Sequence, residues 1–342
     1  MDTLTQIALG TTIAEAYFRK SLGRKALLFG AFCGWFPDVD VFFHSPNSWD
    51  SLVSHRGVTH SVLCLPLLAP LLGEFAFRWS ETGSRWQWVQ LAFWALITHP
   101  LLDVCTVYGT QLLAPFSNQR FSTNAVAIID LLYSLPLFFA CGLTIFRKGI
   151  PIKTRMIAQL ALGLSSMYLV FCHFISFLCL QRAENLFQQQ GFVVEAIRVS
   201  PPVGLPFVRR AIARDAQGAL RTTALSVFVS SSPTIHSYVP PTDPLVTQVL
   251  EQEEGQIFSW FSDGFVYVTA SEERIQLTDA RYGLFVRPWW SPFSASVAVQ
   301  QGEIQGRLQR SLRPKGTDYQ AEFIAGWNIM WTGHSAHGTD SM

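Results

Sequence analysis

Three short stretches carry the side chains best suited to chemistry: Pro37-Asp38-Val39-Asp40, His55-Arg56-Gly57-Val58-Thr59-His60-Ser61 and Thr98-His99-Pro100-Leu101-Leu102-Asp103. Each lies at the edge of an apolar run. An ionisable side chain at a helix centre in lipid costs about 2.5–3.5 kcal/mol on insertion scales, so such groups need partners. The partner that suits this set is a metal ion. His99 and Asp103 share a helix face, about 5–6 Å apart at Cβ. His55 and His60 converge only if His55 sits in a loop or cap and His60 on the first turn, with Gly57 supplying the bend. Asp38 and Asp40, following Pro37, project from a frayed helix end. Imidazoles mixed with carboxylates suit Zn²⁺ first, then Mn²⁺ or Fe²⁺, ahead of Ca²⁺. The candidate ligands are Asp38, Asp40, His55, His60, His99 and Asp103. A set that large could also hold two ions, an arrangement that clamps a phosphoryl group during displacement.

Around this set stand candidates for other roles. A carboxylate outside the ligand shell, Asp40 or Asp130, would accept the proton from an attacking water. Arg56 and Arg120 would bind a phosphate or carboxylate of the substrate. Ser61 lacks a Gly-x-Ser-x-Gly elbow and reads first as a small helix-packing residue at the rim of the substrate site. Tyr108, with Thr110 and the Pro115-Phe116-Ser117 turn, would shape the wall, and Asn124 opens the next apolar run beside it. A single His or Asp at a helix edge is more often a cap or a solvated group. Three clusters gathered on one side of the chain argue for a common purpose.

The elements that must position them follow from composition. The chain has 342 residues, 49% hydrophobic and 14% charged, with mean hydropathy +0.24. Soluble domains run near a quarter charged, so a membrane protein is expected. A net charge of +1 gives no reason to expect nucleic acid as a partner. Apolar runs cover residues 4–18, 26–43, 58–77, 86–104, 125–146 and 156–180, which predicts five to six membrane helices, the first short for a span. Alternate loops hold Arg19, Lys20, Arg24, Lys25, Arg78, Arg85, Arg147, Lys148, Lys153 and Arg155, against Arg56 and Arg120 in the others. Ten against two makes the first set cytoplasmic by the positive-inside rule. All three clusters, with Asn124 and Asp130, then face the other side. The six cysteines all precede residue 180 without a Cys-x-x-Cys pair and read as buried thiols. The start shows no basic n-region or cleavage site of a signal peptide.

After residue 180 the composition changes, and a smaller α+β soluble domain is expected over 181–342, outside the cytoplasm, acting as a lid or a docking surface. A loop with Pro46, Asn47, Ser48 and Asp50 precedes the His55 motif. Strand character begins at 193–199. A hairpin is expected over 207–229, turning at Asp215-Ala216-Gln217-Gly218. Asp243 caps a helix running to about 261. Strands follow near 264–270, 273–278, 283–288, 294–300 and 303–312, and the end from Gly333 to Gly338 reads as a loose tail.

At these motifs the chain resembles the YdjM-like membrane-bound metal-dependent hydrolases of bacteria. The resemblance rests on Met-Asp-Thr-Leu-Thr-Gln-Ile-Ala-Leu-Gly at the start, the three clusters above, and Tyr108-Gly109-Thr110-Gln111 through Pro115-Phe116-Ser117 with Arg120 beyond. It covers roughly residues 1–180, with a looser match at Leu277-Thr278-Asp279-Ala280-Arg281. It implies a multi-pass inner-membrane protein with a His/Asp metal site and, in some members, a LexA-regulated link to the DNA-damage response. Many relatives carry a histidine where this chain has Gln6, so one ligand of the family pattern is replaced here. A site at the membrane edge suits a lipid-like or phosphorylated substrate. The rival expectation is a non-catalytic, metal-stabilised scaffold whose soluble domain binds an envelope partner.

Overall fold

The computed structural model describes residues 1–45, 48–146, 151–229, 233–311 and 319–334. Pro46, Asn47, Arg147, Lys148 and the 335–338 part of the expected tail lie outside the described residues. The chain divides into two compact units, Met1–His44 with Ser54–His173, and Ser45–Val53 with Phe174–Met342. A helical N-terminal region is followed by a sheet-rich C-terminal one.

The first unit begins with α1 (Thr3–Ile13), a π-helical turn (Ala14–Phe18), α2 (Arg19–Leu22) and α3 (Lys25–Trp35). The short α4 (Trp49–Ser54) lies, except for Ser54, in the 45–53 segment of the second unit, and the first unit continues with α5 (Cys64–Ser80), α6 (Arg85–Val104), α7 (Leu131–Phe146) and α8 (Pro151–Gln189), the units dividing within α8 after His173. Asp2 caps α1 by accepting from Thr5 N at 3.0 Å. Ser84 and Gln87 form a reciprocal capping box on α6, satisfying donors that a helix start leaves orphaned. The core of this unit is built from α1, α3, α5, α6 and α7, with Trp88, Leu91, Leu96 and Leu137 fully enclosed.

Helix α1 crosses α3 with almost no side chain between them. A Cβ on Gly10 would lie 2.2 Å from the Gly30 carbonyl oxygen, and one on Gly34 would lie 2.4 Å from that of Gln6. The Gly30-x-x-x-Gly34 spacing places both glycines on one face, the small-residue packing by which apolar helices approach closely.

The apolar runs do not all become long helices. Helices α1 and α3 have 11 residues each, short of the roughly 17–25 that cross a bilayer. Run two breaks at Pro37, which cannot donate to the helix ladder, and continues as a 3₁₀ segment, Phe36–Phe42, carrying Asp38 and Asp40. Run five becomes helical only from Leu131, because residues 105–130 form an irregular segment held by its own backbone bonds. Among the described residues, one helix, over Lys153–Gln189, is by itself long and apolar enough to span, with mean hydropathy 1.8. The stretches Trp49–His60 and Cys64–Ser80 pass that test only together, bent by 63°, and α7 is a shorter apolar helix. Outward-facing apolar stripes are nonetheless prominent. Leu67, Leu71 and Phe75 on α5 are 76%, 69% and 70% exposed.

The second unit holds two four-stranded antiparallel sheets. The first is β1 (Ala196–Ser200), β2 (Val208–Arg214), β3 (Leu220–Ser226) and β4 (Ile235–Tyr238), in that order. Its β2–β3 hairpin turns where Asp215 accepts from Gln217 N and Ala219 N. The second sheet is β5 (Val266–Ala270), β6 (Arg274–Asp279), β7 (Ser294–Gln300) and β8 (Glu303–Arg310). Asp243 does cap a helix, but the chain breaks at Gln252 into α9 (Pro244–Glu251) and α10 (Glu253–Phe261). The strand expected at 283–288 is a loop. Glu322, on α11 (Tyr319–Thr332), accepts from Phe285 N and Val286 N, and Arg210 donates to Pro288 O at 2.9 Å, so side chains take the backbone groups a sheet would have paired. Both β4 and α11 are absent from the sequence reading. The 45–53 segment joins this unit through Trp49 Nε1 to Leu308 O and Arg310 Nη1 to Ser48 O.

Two outcomes test this packing. Gly34→Leu forces α1 and α3 apart, with an expected overpacking cost of about 1–3 kcal/mol, read as a lowered unfolding midpoint of the purified full chain. In the C-terminal unit Asp279 and Arg281 form a buried ion pair at 2.7 Å. Asp279→Ala leaves the buried Arg281 guanidinium to the more distant, partly exposed Asp263 at 3.4 Å, so the expected cost approaches the about 3–5 kcal/mol of breaking a buried pair. An unchanged midpoint would mean that the pair does not hold β6.

Candidate metal centre

Local backbone conformation brings the site together. The 3₁₀ segment after Pro37 turns Asp38 and Asp40 inward, 7% and 5% exposed. Arg56 adopts a left-handed conformation, φ 59°, and Gly57 follows at φ −91°, where a Cβ would stand 2.8 Å from Ser54 O. This kink leads into a 3₁₀ turn, Val58–His60, that delivers His60 to the interior. His99 and Asp103 come from the last turn and a half of α6.

Four groups face one another there. Asp38 Oδ1 lies 3.5 Å from His60 Nε2 and 3.4 Å from His99 Nε2. Asp103 Oδ2 lies 3.4 Å and 3.7 Å from the same two nitrogens. Donor atoms of Asp38, His60 and His99 all fall within 4.8 Å of one another. Four donors about 2.1 Å from one ion at tetrahedral angles would stand about 3.4 Å apart, so the spacing fits.

The hydrogen bonding makes the stronger case. His60 Nε2, His99 Nε2 and Asp103 Oδ2 are buried with no hydrogen-bond partner. Buried polar atoms in native proteins are nearly always satisfied, and here three orphans converge on one point. Their opposite ends are secured. His99 Nδ1 bonds to Gly34 O at 2.7 Å, which fixes the proton on Nδ1 and leaves the Nε2 lone pair directed inward. His60 Nδ1 sits 3.0 Å from Thr59 Oγ1 and 3.5 Å from Asp40 Oδ2. Thr3 Oγ1 donates to Asp38 Oδ2 at 2.7 Å, orienting the other oxygen toward the imidazoles. The residues present therefore fit a divalent cation.

Charge points the same way. Three carboxylates meet one guanidinium and the Met1 amine, which bonds Asp103 Oδ1. With neutral imidazoles the cluster carries one net negative charge, and buried charge is normally paired or coordinated to metal. Arg56 Nε stands 3.1 Å from Asp103 Oδ2, close enough to pair electrostatically though out of line for a hydrogen bond.

The remaining candidates form a second layer or lie apart. Asp40 turns away from the convergence point. Its Oδ1 accepts from His55 Nδ1 at 2.9 Å, and its Oδ2 accepts from Arg56 N and Thr59 Oγ1. His55 stands further out, its ring centroid 6.0 Å from that of His60 and 5.3 Å from that of Tyr108. Tyr108 is a hub, with the Arg56 and Arg120 guanidinium carbons each 4.8 Å from its ring centroid. Arg120 also donates to the carbonyls of Tyr108 and Gly109, and Gly109, at φ 87°, lies against its side chain. Ser61 Oγ caps the chain entering α5, accepting from Leu63 N and Cys64 N and donating to Ala114 O. Asp130 caps α7 through Leu132 N and Tyr133 N and accepts from Tyr168. Asn124 is buried in a left-handed conformation, φ 54°. Gln6 Nε2 donates to Asp103 Oδ1 at 3.1 Å and to His99 O, and its Oε1 is buried without a partner. Thr3, Thr59 and the Gly34 carbonyl are supports that sequence reading missed. Thr59 lies inside the motif, whereas nothing in the spacing of Thr3 or Gly34 reveals their partners.

Fold and site together define a helical unit organised around a buried His/Asp cluster able to hold a metal ion. The chain belongs to the YdjM inner membrane protein family, whose model matches residues 1–178. It is also 28% identical over 97 residues to the uncharacterized protein YfhP of Bacillus subtilis (strain 168). That similarity covers 28% of this chain and 29% of YfhP. No solved structure matches.

Metal analysis of the purified full chain checks the centre. Wild type is expected to carry a stoichiometric divalent ion, and His60→Ala and His99→Ala to lose it while staying folded. Asp40→Asn is expected to keep the site but weaken it about 10–100-fold, the usual effect of losing an outer-shell partner. Equal retention of metal in all three variants would place the ion elsewhere.

Proposed function

We propose that the protein is a multi-pass inner-membrane metal-dependent hydrolase acting on a lipid-like or phosphate-containing substrate. The observation that carries this reading is the convergence of His60 Nε2, His99 Nε2 and Asp103 Oδ2, buried and without a hydrogen-bond partner, on the oxygen of Asp38. The family name and the outward apolar stripes of the helical unit support placement in the inner membrane, with several helices or half-helices packed together. The loop charge bias supports an extracytoplasmic site and C-terminal domain.

Asp38, His60, His99 and Asp103 would hold the ion, and zinc suits this donor set best. A divalent ion so held supplies a Lewis acid and lowers the pKa of bound water toward 7. Asp40 fixes His60 from behind and pairs with His55, whose side chain is 24% exposed. The His55–Asp40 pair, an imidazole oriented by a carboxylate, would carry a proton between the centre and solvent. Asp130, engaged with Tyr168 and the start of α7, is the weaker candidate for that role. Arg56 and Arg120, both held against Tyr108, place positive charge beside the cluster for an anionic headgroup.

A second reading has its own support. His60, His99 and Asp103 are fully buried, and closed metal sites are usually structural. A metal-stabilised scaffold whose C-terminal domain binds an envelope partner would have such a centre. Turnover separates the two. The full-length protein, reconstituted with Zn²⁺ or Mn²⁺, would be assayed against a panel of lipid phosphates and esters beside His55→Ala. The hydrolase reading expects turnover in wild type and a loss of about 10²–10⁴-fold in the variant, the usual worth of a general base, with metal content unchanged. Wild type without metal after reconstitution would sink that mechanism. Full metal occupancy with no turnover across the panel would favour the scaffold.

A further inference from the structure

In the C-terminal unit, helix α11 carries an apolar face that its own sheet does not cover. Ala325, Ile329 and Met330 turn inward, and the last two share a core with Val208 of β2. On the other side Phe323, Ile324, Trp327 and Trp331 are each about half exposed. The three aromatic residues are four apart, so they share one helix face. Phe228, equally exposed, stacks on Trp331 with ring centroids 5.5 Å apart. The patch is uncharged. Helix α11 contains no Lys or Arg, and its one acid, Glu322, accepts from Phe285 N and Val286 N.

Hydrogen bonds tie this patch to one end of the membrane-length helix. The apolar run of α8 ends at Leu180. Ile175, Cys179, Ala183 and Phe187 of α8 form one core with Val199, Ala211, Ala213 and Leu225 of the first sheet. Ile175 and Cys179 still belong to the apolar run, so the sheet meets the helix across the end of that run. Arg182, the first charged residue beyond it, donates to Ser226 O at 2.9 Å and Val229 O at 2.8 Å, on either side of Phe228. Ser226 Oγ in turn donates to Met330 O at 2.6 Å. Arg182 follows the exposed Leu178 by four residues, about 6 Å along the helix. The headgroup layer of a leaflet is about 5–7 Å deep.

We propose that the outer face of α11, with Phe228, is an interfacial anchor that seats in the headgroup layer of the bilayer crossed by α8. The assignment rests on the membrane placement of α8 and is independent of hydrolysis. Size selects the occupant. Aromatic side chains bury about 150–250 Å² each, so four of them half exposed, with Ile324, offer roughly 400–600 Å². A stable protein partner takes about 800 Å² from each side, more than this patch provides for a second copy or a soluble protein. Composition agrees. Tryptophan gathers at membrane–water interfaces, where its apolar body meets hydrocarbon and its polar edge meets headgroups. Without Lys or Arg on the helix, attraction to anionic lipid plays no part, unlike the case of a polybasic segment.

The test uses the full-length protein, one copy per phosphatidylcholine nanodisc. A trace of phosphatidylcholine carries a diazirine either beside the glycerol ester or at the acyl terminus. After irradiation, adducts are mapped by peptide mass spectrometry. Val239 is the reference, since it is exposed and follows Tyr238, which pairs with Leu220 at the end of β3 away from Ser226. The shallow probe should label Phe228 and residues 323–331 about tenfold more than Val239. The deep probe should label Met167 and Val170, exposed on α8, and leave α11 unlabelled. Trp327→Asp should cut the α11 adduct about tenfold with α8 labelling unchanged, and Ile324→Asp serves the same purpose should that variant not fold. Replacing about a third of the lipid with phosphatidylglycerol should change the α11 adduct less than about twofold. A tenfold rise would overturn the proposal, since charge would then draw the lipid. Labelling of α8 with none on α11 from either probe would also overturn it, leaving the face to a protein partner. Absence of labelling on α8 as well would overturn the membrane placement and the anchor together.

Discussion

The constraint on which the helical unit depends is the burial of several ionic groups together. Three carboxylates, two imidazoles and a guanidinium share one buried pocket of side chains, and the backbone around them is bent to make that possible. Every irregularity nearby serves the same end. The helix break at Pro37 turns two aspartates inward, the left-handed Arg56 and the following kink deliver His60, and the Gly109 conformation leaves room for Arg120. A regular helix through any of these points would have carried the side chain elsewhere.

The glycine contact between α1 and α3 is the counterpart of that arrangement. Its closeness sets where the Gly34 carbonyl lies, and that carbonyl holds the Nδ1 proton of His99. A packing feature with no chemistry of its own thereby decides which nitrogen of a ligand faces the ion. On the other side Thr3, one turn before the crossing, orients Asp38. Helix packing and ligand orientation are one structure at this point.

The sequence announced the chemistry more clearly than the fold. His55, His60, His99, Asp38, Asp40 and Asp103 stood out because polar residues at the edges of apolar runs are conspicuous. Spacing could not say which would face the common point and which would stand behind it. That division depends on the 3₁₀ geometry after Pro37, which turns Asp38 and Asp40 to different neighbours although only one residue separates them. The apolar runs were legible as runs, but their helices are shorter, since proline and the 105–130 segment interrupt them. In the C-terminal unit the Asp215 hairpin was readable from its turn residues. The 283–288 loop was not, because its backbone is satisfied by Glu322 and Arg210, far away in sequence. Helix α11 was not read from the sequence either.

The short segment 45–53, between the Asp40 and His55 stretches, carries a consequence for how the molecule is made. Its anchor, Arg310, is synthesised 262 residues after Ser48. At translation rates of about 5–20 residues per second, the nascent chain waits on the order of 10–50 seconds with that segment unheld. The residues on either side of it, which meet through Asp40 and His55, must find each other across a loop whose only fixed ends are their own. The Asp40–His55 pairing spans only 15 residues of sequence and needs none of the anchors on β8, which exist only once that strand has been synthesised.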